Sequence, residues 1–466
     1  MIGNTRYPNL VWVKRMDVKE VLTLAAERSS AYLESLDRRG VVPAAAALAR
    51  LDELDQPLPA GPTSPEMVLA RLDELGSPAT VASAGGRHFG SSVGGSLPAA
   101  LATNWLAGAW DQPADMVAAS PIGARLEEVA GRWLLDVLAL SPAAEVGFVT
   151  GATMANFAGL AAARHALLQR LGWNVEAAGL FGAPEIRVIV GEEVHESVLK
   201  ALSLLGLGCE RLARVPVDGQ GRMRAEALPP LSAATIVCLQ AGHASTGAFD
   251  PAPAICAAAR RAGAWVHVDG AFGLWAAAAP ARAHLAAGFA GADSWALAAH
   301  HWLNVPYDSG LVICREEAHL RAAMSFSAAY LTLGEQREPG MYTPEMSRRA
   351  RGVEVWAALL SLGRAGLADL IERCCRHAAR LAEGLAAAGY PVLNEVVLNR
   401  VLVSVGDAET TRQVIAALRE EGTCWCDGVL WQDRPALRLG VSSWATTEAD
   451  IERSLGAILR VAAQYT

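Results

Sequence analysis

Between residues 146 and 314, short and largely apolar runs alternate with stretches of helical period. The runs Val146–Val149, Ile186–Val190, Thr235–Leu239, Trp265–Val268, Trp295–Leu297 and Leu311–Cys314 read as strands. Strands without a polar face are buried on both sides, so the pattern predicts a mostly parallel sheet covered by helices. Ligands of such sheets bind in loops at the strands' carboxyl ends. Upstream, residues 1–85 read as helices between Pro-rich turns, with Asp17 capping a helix to about Leu36 and Ser64-Pro65-Glu66 opening another. Ser120-Pro121 starts a long helix with Leu126, Val129, Trp133 and Leu134 on its period. Downstream, Pro344 to Arg364 reads as a helix, with a second from about Leu367 to Ala388. Residues 391–466 then read strand, strand, helix, strand, strand, helix, the last helix amphipathic from Thr447. The chain thus divides into a helical N-terminal segment (1–85), a large α/β domain (86–340) and a small α+β domain (341–466).

Candidate chemistry collects at the strand ends. Val149-Thr-Gly-Ala-Thr-Met-Ala-Asn156 joins a strand to a helix, and its small residues let backbone amides reach an anion at the helix N-terminus. Tight strand-to-helix turns without ligands use the same residues. His195 follows the second strand, and Asp269 ends Trp265-Val-His-Val-Asp. His267 points to the face opposite Val268 and reads as a packing histidine. His243 lies in Gln240-Ala-Gly-His-Ala-Ser-Thr-Gly247, and His300 and His301 lie in Ser294-Trp-Ala-Leu-Ala-Ala-His-His-Trp-Leu-Asn-Val-Pro-Tyr-Asp-Ser-Gly310.

That last run resembles the lysine motif of the group II pyridoxal-phosphate (PLP) decarboxylases, which are fold-type I enzymes. The family pattern is roughly Asp-Ala-His-Lys-Trp-Leu-Asn. Here Ala298 stands at the aspartate and His301 at the Schiff-base lysine. The resemblance extends over about residues 80–460 and implies a role for each motif. Gly151, Ala152 and Thr153 align with the phosphate cup, and His300 with a neighbour of the cofactor phosphate. His195 aligns with the ring-stacking histidine, Asp269 with the partner of the pyridine nitrogen, and Ala271 with a small residue against the ring. His243 occupies a loop near the phenolic oxygen, where relatives carry Asn or Thr. Arg348 and Arg438 are candidate carboxylate binders. The resemblance also implies a homodimer with sites near the subunit interface.

Composition narrows the field. The 466 residues are 52% hydrophobic and 6% aromatic, so Ala and Leu dominate and helices are favoured. A formal charge of −8 argues against nucleic acid. No apolar run reaches membrane-spanning length and the N-terminus lacks a signal layout, so a cytoplasmic protein is the expectation. The eight cysteines have no metal-finger spacing and read as structural, with Cys424-Trp-Cys426 on a strand. The lysines are Lys14, Lys19 and Lys200, none at the Schiff-base position.

Four readings follow from the missing lysine. The first is a decarboxylase-like lyase acting on a small amino acid or amine. It would bind PLP or pyridoxamine phosphate non-covalently, with His301 as acid/base, since imidazole moves protons near neutral pH. The second is a metal enzyme or metal-binding protein that uses His195, His243, His301 and Asp269 for Zn, Fe or Mn. The third is a catalytically inactive dimer partner holding no cofactor. The fourth is an ordinary amino-acid decarboxylase whose pocket carries introduced substitutions.

Overall fold

The computed structural model describes residues 18–325 and 336–465. Asp17 and Lys14 lie outside the described residues. The sheet is built from β1 (Glu145–Val149), β2 (Arg187–Gly191), β3 (Ala213–Val215), β4 (Thr235–Gln240), β5 (Trp265–Asp269), β6 (Ser294–Ala298) and β7 (Gly310–Cys314). Their spatial order is β1-β7-β6-β5-β4-β2-β3. Pairs from β6 through β5, β4 and β2 to β3 are parallel, whereas β7 runs antiparallel to β6 and β1.

The apolar strands are buried on both faces because successive residues enter different cores. Phe148, Leu239, Val268, Leu297 and Leu311 join one core, and Val149, Cys238, Ala296 and Val312 the other. The Ala152–Arg170 helix crosses β5, β6 and β7. Its alanines allow close approach, and twelve of its residues are buried. The three-residue β3 carries no apolar run in the sequence and escaped the pattern.

Ser64 and Ser120 cap their helices as the sequence predicts, accepting from the amides of Met67 and Gly123. The helix expected from Pro344 starts instead at Gly352. Residues 344–351 stay irregular because Arg348, Arg349 and Arg351 turn to three carboxylates, on Glu127, Glu354 and Asp308. From Gly352 the helical run continues to Ala387, broken at Gly363 (φ 58°, ψ −174°), so the two expected helices follow end to end.

A second sheet places β8 (Arg400–Val403) and β9 (Asp427–Trp431) on either side of β10 (Arg434–Gly440), all antiparallel. The first strand expected after residue 391 reduces to one bridge, Val392 to Val403. Cys424 and Cys426 flank a single bridge between Trp425 and His88 rather than lying on a strand. All eight cysteines are free. Thr447 and Asp450 form a capping box on the last helix, Glu448–Ala462. Among the described residues no helix is long and apolar enough to cross a membrane.

Candidate active site

A cavity of about 460 Å³ opens at the carboxyl ends of the parallel strands. Gly151, Ala152, Thr153, His195, Asp269, Ala271, His300, His301 and Arg438 all line it. Ser92, Ser197, Phe272 and Arg400 line it too.

The floor is a hydrogen-bonded array around Asp269. The Ala271 amide donates to Asp269 Oδ1 (3.1 Å), and Asn156 Nδ2 donates to Oδ2 (3.3 Å). Ser197 Oγ lies 3.4 Å from the same Oδ2 and 2.8 Å from His195 Nδ1. Nδ1 of His195 also accepts the Ser197 amide (3.2 Å), so the ring proton sits on Nε2. Behind Asn156, its Oδ1 lies 2.8 Å from His267 Nε2, and His267 Nδ1 lies 2.8 Å from Ser294 Oγ. An amide oxygen only accepts, so His267 carries its proton on Nε2 and accepts from Ser294. Burial pushes His267 down to about 3, so it stays neutral.

One wall is the first turn of the Ala152–Arg170 helix. Its leading amides have no intrahelical acceptor and present partial positive charge. The turn is tight: a Cβ on Gly310 would run into the Gly151 backbone. His300 sits opposite, stacked on Tyr307 at 4.2 Å, its Nδ1 accepting the Ser309 amide (3.2 Å). Burial brings His300 down to about 4.

The other edge has a different character. His301 Nδ1 is buried without a partner among the described residues. Burial, then His300 and Arg400, holds His301 well below the usual histidine range, so it is neutral. Arg438 Nη2 pairs with Asp427 (2.7 Å), whereas among the described residues Arg400 donates to the Ser92 hydroxyl alone.

A family profile described as the pyridoxal-dependent decarboxylase conserved domain matches residues 87–405. The chain belongs to that family. It is similar to the aromatic-L-amino-acid decarboxylase of Bacillus atrophaeus, 27% identical over 298 residues, or 61% of this chain and 56% of that protein. It is also similar to tryptophan decarboxylase 1 of Oryza sativa subsp. japonica, 26% identical over 381 residues, or 76% and 73% of the two chains. The matches span about half the length of the first curated relatives. The crystal structure of Oryza sativa TDC with PLP and tryptamine shares the fold at a TM-score of 0.88, with 22% identity, covering 97% of this chain and 99% of that chain.

For a pyridoxal-dependent decarboxylase family member, the cavity fits the cofactor at one end. The oriented Asp269 carboxylate would suit a cationic ring nitrogen, and the helix N-terminus at Ala152 would suit a phosphate. No lysine is among the lining residues. Two other sequence expectations fall away. Arg348 does not line the cavity; its guanidinium is buried on the Glu127 carboxylate, a structural pair. His243 does not line it either, and the metal set of His195, His243, His301 and Asp269 does not assemble. Among the described residues no group of three or more His, Cys, Asp or Glu side chains could hold a metal. The reason is that His243 is committed to its loop. Its Nδ1 accepts the amides of Ser245 (3.2 Å) and Thr246 (3.4 Å), and its ring packs edge-on to Trp431 at 5.2 Å.

The sequence reading missed Asn156, Ser197 and Arg400. Arg400 had a signal: it is the one charge inside Val397-Leu-Asn-Arg-Val-Leu-Val403. Asn156 had a weaker one, a polar residue on an otherwise apolar helix face.

Proposed function

We propose that this protein binds PLP or pyridoxamine phosphate non-covalently and acts as a decarboxylase-like lyase on a small amino acid or amine. The observation that carries this reading is the Asp269 array. A carboxylate oriented by Asn156, Ser197 and the Ala271 amide is presented to the cavity, where a cationic group would pair with it. The protonated pyridine nitrogen is such a cation, and when bound the ring supplies an electron sink for charge developing next to the substrate amine. Gly151, Ala152, Thr153 and His300 would hold the phosphate, and His195 and Ala271 the two ring faces. His195 presents Nε2–H, because Nδ1 is occupied by Ser197. His301 would serve as acid/base. Burial keeps it neutral, with one N–H and one lone pair, and an anion bound beside it would raise its basicity toward the range in which imidazole moves protons. The relatives' names support an amino acid substrate.

We also propose a homodimer. The Val18–Ser35 helix buries none of its residues within its own chain, and Val18, Leu22 and, in the Pro65–Ala79 helix, Leu72 are exposed.

The test is a spectrophotometric PLP titration of dialysed protein, followed by borohydride. Saturable spectral change with no borohydride-fixed cofactor is the expected result, and His301→Lys should convert the bound cofactor to a fixable one. Absence of any spectral response would overturn the proposal.

A further inference from the structure

The cavity's unusual feature is Arg400. It begins β8, is 2% exposed, and lies over the Phe272 ring with its guanidinium carbon 4.7 Å from the centroid. Its Nη2 donates to Ser92 Oγ, while Nε and Nη1 have no acceptor among the described residues. The charged groups that act on it are the cation Arg438 and the carboxylate Asp427. Asp427 is already engaged: it accepts from the Ser91 amide (2.8 Å), Arg438 (2.7 Å) and Trp425 Nε1 (3.3 Å). Two guanidinium groups therefore share one carboxylate, and Arg438 holds it. An anion joining it would offset the cost of keeping this guanidinium buried. His301, with its own unpartnered Nδ1, adjoins the same spot.

We propose that Arg400 is the anchor of an anion subsite for a carboxylate of the ligand, at the His301 edge of the cavity. A planar guanidinium with unused N–H groups on adjacent nitrogens suits a carboxylate in two-point contact. The anchored group is one the ligand keeps. A carboxylate due to leave as carbon dioxide would be held back by such a pairing, because the contact stabilises the starting state and is lost in the transition state. The subsite therefore selects a ligand with a second acid group beyond the reacting carbon. This inference rests on the cavity being the substrate site, but not on PLP being bound.

The experiment is calorimetric titration of the dialysed, full-length protein with succinate, with succinamide as its uncharged twin and inorganic phosphate as a different anion. Wild type should bind succinate and not succinamide. Arg400→Gln should weaken succinate at least tenfold, and Arg400→Lys, which keeps charge but loses the fork, should fall between. Wild type that binds no succinate overturns the proposal without any variant having to fold. So does succinate binding that is unchanged in a folded Arg400→Gln protein, and so does binding of phosphate alone. A parallel PLP titration separates the two readings. Loss of PLP binding with succinate binding intact would count against the cofactor and leave the subsite standing, and the reverse result would do the opposite.

Discussion

The two ends of the cavity are built differently. Around Asp269 every polar side chain has its partner: Ser294, His267, Asn156, Ser197 and His195 form a chain in which most proton positions follow from donor and acceptor chemistry. Around His301 the accounting fails, with Nδ1 of His301 and two nitrogens of Arg400 left without a partner among the described residues. Buried polar groups are paired in folded proteins with few exceptions, and each exception calls for a partner such as water, an ion or a ligand. The closed end is preorganised before anything binds. The open end is a set of unmet interactions.

The strongest way to break this contrast is to remove the charge at the closed end. Asp269→Asn keeps the side chain's shape but cannot pair with a cation. Loss of one charge-assisted bond should weaken PLP by about tenfold to a hundredfold in the spectrophotometric titration. Succinate affinity, read at the other end, should stay within about twofold, as for independent sites. Equal losses at both ends would mean that the cavity is one coupled unit.

Acid sharpens the contrast next. His88, His243 and His300 are pushed down to about 4 and His267 to about 3, and His301 lies well below its usual value, each chiefly by burial. The unfolded chain takes up these protons near pH 6.5 and the folded chain does not. Stability present above about pH 6.5 is therefore lost as pH falls toward about 4. Asp250, raised to about 6 by burial, and Asp293, also raised by burial, work in the opposite direction, but the histidines lowered by burial outnumber them, His319 and His377 included. Urea denaturation at pH 7 and pH 5 should show the drop. His267→Gln offers an acceptor to Ser294 and a donor to Asn156, so it should remove about one proton's share, roughly 1.4 kcal/mol per pH unit. A flat profile in wild type would mean that the buried rings are not neutral.

How much of this was legible in the sequence depends on what each feature is made of. The sheet was readable because its strands are apolar on both faces, and the strand-end motifs fell around one cavity because parallel strands put their carboxyl ends together. His267 was readable as a packing residue from alternation alone. The metal set was not excluded by sequence, since nothing in the spacing says that His243 is held by the amides of Ser245 and Thr246. Arg348 read as a helical residue and a candidate carboxylate binder; it lies in a loop because a buried Glu127, some 220 residues earlier in the chain, pairs with it. Asn156 and Arg400 act through partners far away in sequence, Asp269 and Ser92, and local pattern carries no trace of those pairings.

The smallest effect is expected at Ser197, and its size tests whether the closed end is redundant. The hydroxyl sits between His195 Nδ1 (2.8 Å) and Asp269 Oδ2 (3.4 Å) and accepts from Asn156 Nδ2 (3.1 Å). It has one proton to give, so it serves one of those two acceptors at a time. Removing it by Ser197→Ala leaves Asp269 with Asn156 and the Ala271 amide, and leaves His195 with the residue 197 backbone amide. No charge becomes unpaired, so the cost should be about 1 kcal/mol in urea denaturation, the worth of an ordinary internal hydrogen bond. PLP affinity should change by less than the Asp269→Asn effect. A loss near that of Asp269→Asn would show instead that the array depends on the hydroxyl relay between His195 and Asp269, and that the closed end is complete only as a unit.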